Sequence, residues 1–199
     1  MWAENAGGTN ESVTIENSSF HDIDDSAVIT LGSTLLATAK GNTMQTGYYQ
    51  VQWESVGGSL TGNVINGGYE AIRVSGGVTV SGNTMANQSY GIVADSGVTA
   101  TSNKISNASS AGIYDFGGGN TYKANAITKV GVGIEFNCNT PTVLSNTIND
   151  ATTGLDSVPA SFSGANSFDN VVTLRSDGCG SRPTSPAAPH SGLVPARAH

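Results

Sequence analysis

Charge is scarce in this chain, and the little it has is one-sided. Only 12% of the 199 residues are charged, 15 acidic against 8 basic, for a net charge of −7. A surface so poor in Lys and Arg cannot supply the phosphate contacts on which non-specific nucleic-acid binding rests. No apolar run approaches the ~20 residues that span a bilayer as a helix, and no heptad of Leu, Glu and Lys exists to build a coiled coil. Aromatics make up 7% of the chain, there are two cysteines, and His21 is the only histidine before the C-terminal tail. Two Cys without a neighbouring His do not make a zinc site. What is abundant instead is glycine, 26 residues, about twice the ordinary share, together with Ser, Thr and Asn. These residues favour turns and compete with helix formation.

The abundance is ordered. A phrase of a small residue, Asn, any residue and an apolar one recurs as Gly41-Asn42-Thr43-Met44, Gly62-Asn63-Val64-Ile65, Gly82-Asn83-Thr84-Met85 and Ser102-Asn103-Lys104-Ile105. It continues as Ala124-Asn125-Ala126-Ile127, Ser145-Asn146-Thr147-Ile148 and Ala165-Asn166-Ser167-Phe168. The interval between asparagines stays near one value throughout, about 20–22 residues, within the range of solenoid repeats. A degenerate copy, Asn17-Ser18-Ser19-Phe20, precedes them with Ser18 in the Asn place. The gap from Ser18 to Asn42 is longer than every later one and predicts a small insertion around Gly32-Ser33-Thr34. An apolar residue usually stands three positions before each Asn (Leu60, Val80, Ala100, Tyr122, Val143). About nine positions after it comes a small residue and then an aliphatic one, as in Ala71-Ile72, Gly91-Ile92, Gly112-Ile113, Gly133-Ile134 and Gly154-Leu155.

Between these points the chain alternates apolar and polar over a few residues, as strands do. The period is too short for the paired helices of a helical solenoid, and the Leu-x-x-Leu-x-Leu signature of leucine-rich repeats is missing. The expected fold is therefore all-β, a parallel β-helix of about 7–8 coils of 20–22 residues, stacked ~4.8 Å apart into a rod of roughly 35 Å. Stacked asparagines can hydrogen-bond to one another as a ladder, and Asn tolerates the left-handed backbone of a sharp corner. The seven asparagines are accordingly expected to be corner-makers, and the column Ile72, Ile92, Ile113, Ile134, Leu155 to be core.

This repeating order, Asn-x-Ile followed by Gly-Ile in coil after coil from roughly position 12 to position 175, resembles the right-handed parallel β-helix superfamily, with its pectate-lyase-like and periplasmic copper-protein-like repeats. The resemblance implies a right-handed coil and a strand face on which lyases and hydrolases of the superfamily bind polysaccharide. If the chain is an enzyme, it implies a polysaccharide lyase or a glycoside hydrolase. It also admits surface segments without activity, such as structural spacers, adhesins and trimeric tailspikes.

The expected organisation is a β-helix over residues 1–179 and a Pro-rich flexible tail over 180–199. Met1-Trp2-Ala3-Glu4-Asn5 has neither the basic stretch nor the apolar segment of a secretory leader. It aligns with the second half of a coil, Met1 where Ile134 sits, so the expectation is a piece of a longer solenoid. Without the tail the acidic excess rises to −9, which suits an extracellular or periplasmic protein and disfavours polyanions unless a metal bridges them. The resemblance implies a polysaccharide or cell-surface glycan as partner, with no nucleic acid or membrane, and a monomer is expected. Cys138 and Cys179 stand equally far beyond the repeat residues Asn125 and Asn166, two rungs and ~10 Å apart in register, beyond disulfide reach. Cys179 follows the last coil, however, and could fold back to pair.

Functional residues must point out of the rod. In the strand at Ile72 and its equivalents the first outward positions are Gln52, Arg73, Val93, Tyr114, Glu135 and Asp156. The next are Glu54, Ser75, Asp95, Phe116, Asn137 and Val158. From these come the candidate substrate-binding residues Glu54, Arg73, Asp95, Tyr114, Asp115, Glu135 and Asp156. Glu135 above Asp156 would be a close carboxylate pair, either of a kind used by two-carboxylate glycosidases or by calcium, or two exposed acids that simply tolerate each other in water. No resident cofactor or metal is expected otherwise. Alternation would send Asp115 inward beside Phe136, a costly place for a charge. The expectation is that it instead caps the Gly117-Gly118-Gly119 turn, or that a bulge carries it outward to join Glu135. Asp24-Asp25, next to His21, resembles the paired aspartates of polygalacturonase-type hydrolases, but the Gly-His-Gly and Arg-x-Lys elements are absent and a solvated loop is the simpler reading. Arg73 could serve as a lyase-type arginine base, with Glu54 and Asp95 one coil away. The Tyr-Gly-Phe-Asp-Pro-His signature of alginate epimerases is missing, and no complete catalytic motif is present.

Overall fold

The computed structural model describes residues 2–4, 11–24 and 26–179, with side chains except at 2–4, 11, 29–35, 46, 49–50 and 54–56. Met1, Asp25 and the tail from Gly180 lie outside the described residues. The chain winds into about seven turns of a parallel β-helix, and each rung pairs with the next through parallel strands on three faces.

The first face follows each asparagine. Its inward column runs Phe20, Met44, Ile65, Met85, Ile105, Ile127, Ile148, Phe168, each in register with the next. The second face includes the strands Glu70–Ser75, Tyr90–Ser96 and Ala111–Gly118, with Val51, Ile72, Ile92, Ile113, Ile134 and Leu155 stacked inside. The third face precedes the asparagine and stacks Ile15, Ala39, Leu60, Val80, Ala100, Tyr122 and Val143. A tube this narrow has one core shared by all three faces, and nearly all of these side chains are sealed from water. Each fully buried aliphatic contributes roughly 1.5–3 kcal/mol. The glycines before Ile92, Ile113, Ile134 and Leu155 have a packing cause: a Cβ on Gly133, for example, would come within 2.7 Å of Ile148 Cγ2 on the next rung. The expected insertion is present as a register shift between Gly32 and Leu36.

The asparagine ladder is continuous from Asn42 to Asn166. Each side-chain Nδ2 donates to the Oδ1 of the next rung at 2.9–3.0 Å, and each backbone N–H donates to that same oxygen. The second Nδ2 hydrogen reaches back to a third-face carbonyl, as Asn103 does to Val80 at 2.9 Å. Ser18 enters the ladder through its backbone N–H, which donates to Asn42 Oδ1. The corner itself is made differently from expectation. The asparagines turn inward, and the left-handed conformation belongs to the residue before them: Gly41, Gly62, Gly82, Ser102, Ala124 and Ser145, with φ between 56° and 64°. The small residue of the repeat phrase makes the bend, and Asn satisfies the backbone groups the bend would orphan.

A second corner, between the first and second faces, carries the left-handed residues Gly67, Asn87, Asn107, Lys129, Asp150 and Asn170. Here the amides are exposed and linked more sparsely, Asn87 to Asn66 at 2.7 Å and Asn107 to Asn87 at 3.0 Å. Near the C-terminal end Cys138 and Cys179 form a disulfide, their Cα atoms 5.2 Å apart. The in-register distance does not apply, because both flank Ser157. Its carbonyl accepts the Cys138 N–H at 3.2 Å and lies 3.0 Å from the Cys179 sulfur.

Candidate functional site

On the second face, the outward register is the one alternation predicts: Gln52, Arg73, Val93, Tyr114, Glu135 and Asp156 are successive partners. Their exposure is not uniform, since Val93 and Glu135 are buried. What distinguishes this face is a run of aromatic rings that begins at its leading edge and, at Tyr114, reaches the outward register of the strand. Tyr48 stacks on Tyr69 with centroids 5.2 Å apart, Tyr69 meets Tyr90 at 5.6 Å, and Tyr90 meets Tyr114 at 5.8 Å. Tyr114 then abuts Phe116 edge-on at 6.0 Å. One ring per rung over four rungs makes a stripe about 15 Å long. Tyr48 and Phe116 at its ends are 38% and 50% exposed, and the rings between are half-buried.

Tyr48, Tyr69 and Tyr90 were not among the sequence candidates. Their recurrence once per repeat period was the available signal. It was masked because Tyr48 and Tyr69 sit in the turn leading into the strand and Tyr90 at the strand's first residue, where alternation does not yet say which way a side chain points. The Tyr69 hydroxyl is held above its ordinary pKa by burial first, then by Tyr90, Glu70 and Tyr48. It therefore remains a hydrogen-bonding phenol at neutral pH.

Beside the rings lies a charged cluster on two successive rungs. Arg73 Nη1 donates to both carboxylate oxygens of Glu70, at 3.3 and 3.4 Å, while Nη2 stands 3.9 Å from Asp95. The guanidinium also lies over the Phe116 ring, 5.6 Å from its centroid. The structure thus joins Arg73, Asp95 and Tyr114 in one patch and adds Glu70, which the sequence reading passed over. Burial is the main influence on Glu70 and raises its pKa against the lowering effect of Arg73. Glu54 pairs with Ser75 by backbone register, but its side chain lies outside the described ones.

Asp115 corrects the expectation. It points inward, fully buried, in the column of Val74 and Ala94. It neither caps the glycine turn nor joins Glu135. The register shift comes after it, at Phe116–Gly117, and it is Phe116 that this irregularity leaves exposed. The carboxyl is accommodated because the interior supplies donors to one of its two oxygens. Tyr122 Oη donates to Asp115 Oδ1 at 2.6 Å, and the Asn120 amide donates to the same oxygen. Asn139 Nδ2 donates to the Asp115 carbonyl at 2.9 Å. Burial still dominates and raises the Asp115 pKa, and it pushes the Tyr122 phenol well above its ordinary range.

Glu135 and Asp156 are register partners as expected, but they are not an open carboxylate pair. Glu135 is buried, and Asp156 accepts the hydroxyls of Ser157, at 3.0 Å, and of Ser176. Among the described residues no group of three His, Cys, Asp or Glu side chains is gathered to hold a metal. At the N-terminal end, Asp24 is exposed and His21 pairs with Asp22 at 2.8 Å, both at the surface. A concavity of about 560 Å³ lies along the corner between the first and second faces, on the rungs beyond Tyr90, lined by Asn107, Lys129, Asp150 and Asn170. It is a shallow trough without clustered acids, bases or nucleophiles, and the tyrosine stripe has the stronger claim to a ligand.

No helix of the described residues is long and apolar enough to cross a membrane. In comparisons with known proteins, the family described as a right-handed β-helix region matches residues 5–181. No curated protein and no solved structure matches the chain.

Proposed function

We propose that this chain, which belongs to the right-handed β-helix family, is a polysaccharide-binding repeat module whose ligand lies along the column Tyr48, Tyr69, Tyr90 and Tyr114. One observation carries the reading: aromatic rings follow one another at 5.2–5.8 Å over four successive rungs on the same side of the stack. A surface that repeats the same ring at a constant interval complements a linear polymer that also repeats a ring. Apolar sugar faces pack on the π-faces, while the phenols, Arg73 and Asp95 offer hydrogen bonds to hydroxyls. An extracellular or periplasmic setting agrees with the Cys138–Cys179 disulfide, since such bonds persist in oxidising compartments. Among the described side chains the groups that would make the chain a lyase or hydrolase do not converge, so the reading is of binding rather than turnover. The competing role of a stiff spacer draws on the unbroken asparagine ladder and needs no ligand.

The experiment is affinity electrophoresis through gels containing soluble polysaccharides, comparing the native chain with Tyr48→Ala and Tyr90→Ala. Retardation by at least one polysaccharide is expected, weakened about tenfold by either substitution. Tyr48 is the more exposed of the two and tests the point without disturbing packing. Unretarded migration in every gel would refute the reading in favour of the spacer. Sedimentation giving a dimer that Tyr90→Ala disperses would refute it in favour of self-association.

A further inference from the structure

We infer that the ligand of the tyrosine column is a neutral polysaccharide and not a polyuronate, an inference that rests on the binding reading above. The argument is charge complementarity. Arg73 is the one described cation on this stretch of the second face, and it is already enclosed by Glu70 on its own strand and Asp95 on the next. Its remaining face is turned to the Phe116 ring.

The lysines stand on other columns. Lys40 and Lys123 belong to the third face, with Thr61, Ser81 and Thr101. Lys104 lies on the first face with Thr84 and Ala126, and Lys129 lies on the corner between the first and second faces, two rungs beyond Asn87, with Asp150 at the same position of the following rung to balance its charge. Farther along the stack, the same outward column continues into Glu135 and Asp156, which add negative charge. Even with Glu70 protonated, as its burial favours, Asp95 balances Arg73 and no positive surplus remains. A polyuronate brings one carboxylate per ring and would meet a surface that is neutral to negative all along its length. A neutral chain meets rings and hydrogen-bonding groups at no such cost. Arg73 is then a rigid donor locked in place by its carboxylates, not an anion receptor.

The test runs the full chain in the same gels with two sets of probes: neutral glucan and mannan, and polygalacturonate and alginate with and without added calcium. Retardation by a neutral polymer is expected to be at least about tenfold stronger than by either polyuronate at low salt, and to change less than about twofold as salt is raised. Asp95→Asn, which uncovers part of the Arg73 charge, is expected to raise polyuronate retardation by about two- to fivefold. Polyuronate retardation equal to or above the neutral one, in either calcium condition, overturns the inference while leaving the binding reading intact. An Asp95→Asn chain indistinguishable from the native one toward polyuronates overturns the claim that Arg73 is neutralised by its carboxylates. No retardation by any probe, with Tyr90→Ala identical to native, is the separate failure of the binding reading itself.

Discussion

Replacing Asn103 by alanine removes a rung from the middle of the amide ladder, and the consequences can be followed bond by bond. Asn103 Oδ1 accepts two donors from Asn83, the backbone N–H and Nδ2, both at 3.0 Å. Asn103 Nδ2 donates to the Val80 carbonyl at 2.9 Å and to Asn125 Oδ1 at 3.0 Å. After the substitution Asn83 Nδ2 keeps its bonds to Leu60 and Ser81, and Asn125 Oδ1 keeps the Asn103 backbone N–H. The Asn83 backbone N–H loses its acceptor and Val80 loses a donor, at a site with no measurable exposure. Each buried group stripped of a partner costs about 1–3 kcal/mol, and the vacated volume adds to that, so a loss of about 3–6 kcal/mol is expected. Asn166, the last rung, makes equivalent bonds to Asn146 but is only half-buried, so water can replace the lost acceptor. Its alanine variant should cost about 1–2 kcal/mol. The assay is urea unfolding followed by far-UV circular dichroism, with midpoint and slope compared for both variants. Equal losses, or an Asn103→Ala loss below about 1 kcal/mol, would show that the ladder is a by-product of stacking and not a determinant of it.

The buried carboxyl and the disulfide give two further expectations. Asp115 has a folded-state pKa raised above its ordinary 3.8, chiefly by burial, so the native state holds the proton more tightly than the unfolded chain. Its contribution to stability is full below about pH 4 and is lost as pH rises through the raised folded value. Asp115→Asn keeps an acceptor for the Tyr122 hydroxyl and removes the titration. The stability difference between variant and native, measured by urea unfolding at a series of pH values, should therefore shift in the variant's favour as pH rises from 4, and parallel curves would refute it. Opening the Cys138–Cys179 bridge, which spans 41 residues, should cost about 3–4 kcal/mol by loop entropy. It should lower the unfolding midpoint in reductant, or in a Cys138→Ser, Cys179→Ser double variant, and an unchanged midpoint in both would contradict it.

The stacking of rungs was legible from residue order alone. Asn, the small residue before it and the aliphatic residue after it recur at a nearly fixed period, and a chain that returns to the same point once per period must place equal residues above one another. The alternating pattern further assigned Arg73, Tyr114, Glu135 and Asp156 to one column, and the register agrees. Periodicity does not report what a side chain meets once it leaves the backbone. Whether Asp115 turned in or out depended on Tyr122 and Asn120 offering donors inside the tube. The pairing of Cys138 with Cys179 depended on how both meet Ser157, and the enclosure of Arg73 on Glu70 and Asp95. The start of the tyrosine stripe, Tyr48 and Tyr69, came from turns, where chain direction is set by left-handed residues and neighbouring rungs instead of by strand alternation. Local periodicity decides which residues share a column, because backbone hydrogen bonding imposes it. The neighbours of each side chain, and with them burial, charge balance and any ligand, are decided only when the three faces close around a common interior.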